Sequence, residues 1–190
     1  MSRLFRISLM EAAVKYLPAI FLSMSIVVVL AGCVAQHYKI PVTAPFNAEE
    51  AKIALQPGNN TVKGSAILGP LLRRSAGKAV TCAGKPIYIA PVTTYSKARM
   101  VALYDNDNAG YNPALNGRQL DESVNFWVES ARETTCDAQG HFKFEKLKDG
   151  EYYVSSQIIW LDETLPEGGV LMKKVSVTGG ETKEIVLSGY

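Results

Sequence analysis

The sequence predicts an all-β protein, an antiparallel β-sandwich. Short apolar runs alternate with polar residues along much of the chain, the period-two pattern of half-buried strands. Fifteen glycines and nine prolines punctuate those runs at turn-like intervals. The third observation is the stretch from Thr135 to Val154. Asp137-Ala138-Gln139-Gly140 is a polar turn whose glycine accepts positive φ, and Phe142 and Phe144 then alternate with His141, Lys143 and Glu145. Lys148-Asp149-Gly150 turns the chain again, after which Tyr152, Val154, Ser156, Ile158 and Trp160 share one side of a long strand. With 190 residues and 47% hydrophobic content, one core and an N-terminal addition account for the length.

In that addition, Arg3, Arg6 and Lys15 precede an apolar run from Leu17 to Leu30. The run is short for a membrane span of about 20 residues and suits the apolar region of a signal peptide. Leu30-Ala31-Gly32-Cys33 follows, and it resembles the lipobox of bacterial lipoproteins. The resemblance implies cleavage before Cys33, a diacylglycerol thioether on its thiol and a second acylation of the new amino terminus. Residues 1–32 are then a signal peptide, and Met10 is an alternative start that preserves the lipobox. Each buried methylene contributes about 0.8 kcal/mol, so several acyl chains hold a protein firmly on a bilayer. Val34 stands where inner-membrane retention in enteric bacteria uses aspartate, which favours the outer membrane, facing the periplasm.

Removing the signal leaves 17 of the 20 basic and 17 of the 18 acidic residues. A near-neutral chain without a dense cationic stripe is a poor nucleic-acid binder. Lys143, Lys146 and Lys148 alternate with apolar residues and read as a solvated strand face.

Residues 33–58 read as a lipidated tether with a short helix. Pro41 and Pro45 interrupt its first part, and Asn47 with Glu50 three residues later caps a helix over Ala51 to Leu55. The sandwich is expected over 59–190. Val62, Gly64, Ala66 and Leu68 line one face of its first strand. A loop over Leu71 to Gly77 exposes Arg73-Arg74. Pro86 to Thr93 is a strand whose prolines mark an edge or bounding bends.

With Cys33 assigned to lipid, Cys82 and Cys136 remain in an exported, oxidising compartment. A disulfide is preferred over two free thiols, and it would tie down the segment between them. Two cysteines without nearby histidines fall short of a zinc site.

That segment, near 95–134, is a long insertion. Met100, Ala102 and Tyr104 suggest one short strand, and Val124, Phe126 and Val128 another. Asp105 to Gly110 begins like a calcium loop, but Ala109 and Asn116 occupy positions that need oxygen ligands, and a polar turn is preferred. Tyr95, Tyr104 and Tyr111 are a candidate ligand surface for a sugar or peptide, set against the alternative that they pack beneath the loop. Val170 to Val177 and Thr182 to Leu187, joined by Thr178-Gly179-Gly180-Glu181, read as a closing hairpin.

The succession Val62-Lys63-Gly64, Gly84-Lys85-Pro86-Ile87-Tyr88-Ile89, Cys136 to Phe144, Leu147 to Tyr152 and Val175 to Glu181 resembles the carboxypeptidase regulatory-like, or transthyretin-like, domain family. The resemblance implies a prealbumin-like sandwich of about seven antiparallel strands in two sheets. The long insertion departs from the family's usual short connection. The enzymes among transthyretin-like proteins, hydroxyisourate hydrolases, need several histidines and a Tyr-Arg-Gly-Ser ending, whereas this chain has His37 and His141 and ends Leu187-Ser188-Gly189-Tyr190. No phosphate loop, Gly-x-Ser-x-Gly elbow or His-Glu-x-x-His motif is present. No catalytic residue, metal or cofactor is expected. The sequence reads as a membrane-anchored envelope lipoprotein whose sandwich is a non-catalytic protein-interaction or structural module. The alternative is a carbohydrate- or peptidoglycan-binding module using the tyrosine-bearing insertion.

Overall fold

Alternation of apolar and polar side chains produces eleven strands among the residues that the computed structural model describes, 39–69, 79–162 and 164–189. The expected signal peptide, Cys33 and the loop expected at Arg73-Arg74 lie outside them. Three antiparallel ladders run through β4 (Pro86–Pro91), β9 (Gly150–Asp162), β10 (Leu165–Val177) and β5 (Ala109–Pro113), and β7 (Arg132–Thr135) adds to β4. β4 is therefore interior, bounded by bends at its two prolines. The facing sheet is built on β2 (Pro57–Leu68), flanked by β11 (Thr182–Gly189) on one side and by β3 (Val80–Thr81) and β8 (His141–Leu147) on the other. The architecture is the expected all-β sandwich.

The core between the sheets collects the residues that the period-two pattern points inward. Val62, Ala66 and Leu68 meet Phe142, Phe144, Tyr152, Val154, Ile158, Val175, Ile185 and Leu187, all buried. Burying a large aliphatic or aromatic side chain contributes about 1.5–3 kcal/mol, so this layer supplies most of the folding drive. Gly64 is where the backbones come closest: a Cβ there would lie 1.9 Å from the Ile185 carbonyl oxygen.

Two expected connections differ. Thr182 to Leu187 does not fold back on β10 as a hairpin; β11 crosses to the other sheet and runs parallel to β2, Ile185 opposite Gly64. β8 and β9 likewise lie in different sheets, with Lys148-Asp149 bridging them. Buried Asn60 secures both crossings. Its Nδ2 donates to the Leu147 carbonyl (3.0 Å) and to Asp149 Oδ1 (2.8 Å), and its Oδ1 accepts from the Gly180 and Glu181 amides (2.8 and 3.0 Å). On the other side of the sandwich, Arg132 donates to the carbonyls of Glu145 and Lys146, which blunts the exposed edge of β8.

The helix before the sandwich is present as α1 (Ala48–Ala54), with Asn47 Oδ1 accepting from the Glu49 and Glu50 amides. Ahead of it, the stretch read as plain tether contains β1 (Lys39–Pro41), which pairs in parallel with β6 (Gln119–Asp121) of the insertion.

The insertion itself corrects the sequence reading twice. Met100, Ala102 and Tyr104 lie on α2 (Thr94–Tyr104), not on a strand, and Phe126 and Val128 lie on α3 (Phe126–Ser130). Tyr95, Ser96, Arg99 and Met100 recur at helical spacing and are all buried. They cover the second face of the β9 sheet, where Ala90, Tyr153, Met172 and Phe126 form a smaller core.

Cys82 and Cys136 form a disulfide with Cα atoms 5.8 Å apart. It joins the turn before β4 to the turn before β8 and encloses the insertion in one covalent loop.

Candidate functional site

The insertion is held as a rigid shelf by a polar staple. Thr93 Oγ1 accepts from the Ser96 amide (3.1 Å) and Ser96 Oγ accepts from the Thr93 amide (2.7 Å), a capping box that starts α2. Three residues after Ser96, Arg99 forks onto Glu122 through Nε (3.0 Å) and the terminal amino group (2.9 Å). Its guanidinium carbon lies 4.7 Å from the Phe126 ring centroid and 5.1 Å from that of Trp127. One terminal nitrogen of Arg99 makes no hydrogen bond, and the ring faces offset its burial by cation–π attraction.

Tyr95 belongs to this staple and not to a ligand surface. It is 5% exposed, its ring meets Phe46 edge-on at 5.3 Å, and its hydroxyl donates to Glu122 Oε2 at 2.9 Å. Burial, and then this carboxylate, push its pKa up to about 12.

Tyr104 and Tyr111 do come together. α2 ends at Asp105, which adopts φ 53° and whose amide donates to the Val101 carbonyl. Asn106 Oδ1 then accepts from the amides of Asn108 and Ala109 and starts β5. Gly110 lies against the Tyr104 ring, where an added Cβ would be 2.4 Å from Cγ. Beyond β5, Asn112 closes a small loop, its Oδ1 accepting from the Arg118 amide (2.8 Å) and its Nδ2 donating to the Arg118 carbonyl (2.9 Å). Arg118 reaches back to Asp105 in a two-pronged pair and to the Ala102 carbonyl at 3.1 Å.

These elements enclose an open crevice of about 240 Å³. Tyr104, packed against the smaller core, and Tyr111, packed against the main one, line it together with Pro113, and Asp105, Asn116 and Arg118 give it a polar rim. A hollow of about 330 Å³ adjoins it across Tyr111, lined by Gly110, Ser188 and Gly189. The Tyr111 hydroxyl donates to the Gly168 carbonyl at 2.7 Å, which fixes the shared wall. Burial raises the pKa of both tyrosines, Tyr104 to about 12.

A larger groove, about 560 Å³, lies on the outer face of the β2 sheet beside β7. Its charges are already paired: Lys63 with Glu184 at 3.2 Å, His141 with Asp137 at 3.5 Å, and Lys143 with Glu145. Phe142, its aromatic lining residue, is 5% exposed. His141 is thus on the wet face that the alternation assigned to it.

The carboxylates of the calcium-like stretch are engaged by cations, Asp105 by Arg118 and Asp107 by Lys97 (3.6 Å) and Lys174 (3.4 Å). Among the described residues, no three metal-ligating side chains converge.

Neither a family model nor a curated protein matches the chain. Among solved structures it is similar to a "putative carbohydrate binding protein" from Pseudomonas aeruginosa, with a TM-score of 0.63 and 23% identity. The likeness covers 77% of this chain and 99% of that one, and at this identity it establishes a shared fold.

Proposed function

We propose that the protein is a non-catalytic carbohydrate-binding module held on a bacterial envelope membrane by lipid on Cys33. The observation that carries the carbohydrate reading is the crevice in which Tyr104 and Tyr111 stand beside Asp105, Asn116 and Arg118. A sugar presents a weakly polar C–H face and a rim of neighbouring hydroxyls. The amide, carboxylate and guanidinium groups of the rim match the second, and the parts of Tyr104, Tyr111 and Pro113 that reach the crevice offer a small surface for the first. The name of the structural neighbour supports the same reading. The anchor is supported by the lipobox Leu30-Ala31-Gly32-Cys33.

An open crevice of this size gives weak binding, with Kd on the order of 1 mM. Calorimetric titration of the full chain with soluble oligosaccharides tests it. Asn116→Gly suits a position whose φ is 60° and removes the rim amide, while Arg118→Ala removes the guanidinium. Each is expected to weaken binding about tenfold, close to the cost of one charge-assisted hydrogen bond, with the thermal transition still cooperative. Glycan binding undiminished in both variants would reject the crevice as its site.

A second reading, a protein-interaction module, is favoured by β11, which among the described residues pairs with β2 only, its outer edge beside half-exposed Val186 met by the Lys173 ammonium at the Val186 carbonyl (3.4 Å). Crosslinking in cells, with Cys33→Ser as control, tests it through recovery of a stoichiometric protein partner that depends on the anchor.

A further inference from the structure

The pairing of β1 with β6 fixes where the lipid tether joins the domain. Lys39 is opposite Gln119, and Gln119 directly follows Arg118 on the rim of the crevice. Paired strands lie about 4.8 Å apart, so the tether reaches the domain at the lip of the candidate site. The two strands are parallel, Ile40 facing Leu120 and Pro41 facing Asp121. Followed backwards from Lys39, the chain therefore leaves at the Arg118 end.

Six peptide links separate Lys39 from Cys33, and they span at most about 20 Å. A lipidated Cys33 thus keeps the crevice within roughly 30 Å of the membrane surface. The opposite end of the sandwich lies farther away. From Gly169, which pairs with Pro113, to Val177 is eight residues along β10, or about 27 Å, before the turn into β11.

Resting on the carbohydrate reading above, we propose that the crevice binds the sugar headgroup of a glycolipid carried in the same membrane that holds Cys33. Tethering on this length scale sets an effective concentration in the millimolar range. A site that binds a free oligosaccharide only weakly is then largely occupied by a headgroup displayed beside it. The charges of the rim agree, since Arg118 is already neutralised by Asp105. Hydroxyls, and not a phosphate, are what the site is built to receive.

The test uses the full lipidated chain in phosphatidylcholine vesicles, with a dye on Gln119→Cys or on Lys183→Cys and a quencher on lipid headgroups. Both positions are exposed, and the second follows the far turn. Stronger quenching at 119 than at 183 is expected, and the reverse order overturns the proposal. In the second arm, vesicles receive the glycolipid fraction of the source cells, either intact or after periodate oxidation of its sugars. The dye at 119 is expected to respond to the intact fraction and not to the oxidised one, and Arg118→Ala to raise the half-saturating amount about tenfold. Response only to soluble cell-wall glycan would sink the glycolipid assignment and leave the carbohydrate reading standing. Response to neither would end both.

Discussion

At the residue scale, Asn60 ties the fold together, because all four hydrogen-bonding positions of one buried amide are used by two separate turns, 147–149 and 180–181. Asn60→Ala removes these four hydrogen bonds, taking the side-chain partner from the Leu147 carbonyl and the Gly180 amide, while the Glu181 amide keeps the Thr178 carbonyl at 3.3 Å. The substitution is expected to lower unfolding free energy by roughly 2–4 kcal/mol, read from the urea midpoint at unchanged slope. Asp149, its partner, has its carboxyl held below the usual carboxylate range, first by the Asn60 amide and then by the Gly179 amide and Thr178 hydroxyl. A pKa lowered in the folded state contributes stability that is complete above the unfolded pKa of about 4 and is lost as pH falls through the folded value. Wild type is therefore expected to lose more stability than Asp149→Asn between pH 6 and pH 2, measured as the shift in denaturation midpoint. Equal losses would show that Asp149 takes no part in the acid transition. Nothing local tells that Asn60 will face two distant turns.

At the element scale, strands whose two faces differ in polarity were legible, and elements buried on a second face were not. Phe142 and Phe144 alternate cleanly with charged residues because β8 has one wet side. In β9, by contrast, Tyr153 and Ser155 are as buried as Tyr152 and Val154, since α2 covers them. The helix itself was announced by Thr93 and Ser96, an N-cap pair, and by Tyr95, Arg99 and Met100 at helical spacing. The coincidental alternation of Met100, Ala102 and Tyr104 masked it, and serine in place of glutamate weakened the capping signal. Of the three tyrosines singled out, Tyr104 and Tyr111 meet at the crevice. Tyr95 turns inward because position 95 lies one helical turn before Arg99 on the face that meets Glu122. The disulfide that encloses this shelf closes a loop of 54 residues, for which loop entropy predicts about 4 kcal/mol. Cys82→Ala with Cys136→Ala is expected to lower stability by about that amount. A drop under about 1 kcal/mol would mean that the staple around Arg99 restrains the loop without it.

At the scale of the whole molecule, the two crossings between sheets explain why the last strand was misread. Thr178-Gly179-Gly180-Glu181 is as suitable for a hairpin as for a jump, and only the competition among partners assigns β11 to β2. That ladder joins Thr61 to Thr182, so most of the chain must be in place before it can form. Refolding is accordingly expected in the millisecond-to-second range by stopped-flow fluorescence, and microsecond refolding would contradict it. The route by which the chain joins its anchor has a mechanical consequence as well. Tension applied through the amino terminus falls first on β1, a ladder of three residue pairs, and next on α1. Residues 39–56 can peel away and lengthen the leash by up to about 60 Å, while β2 stays clamped between β11 and β8. A chain built in this way takes up a pull on its amino terminus first as added reach, and load reaches the sandwich only after that slack is spent.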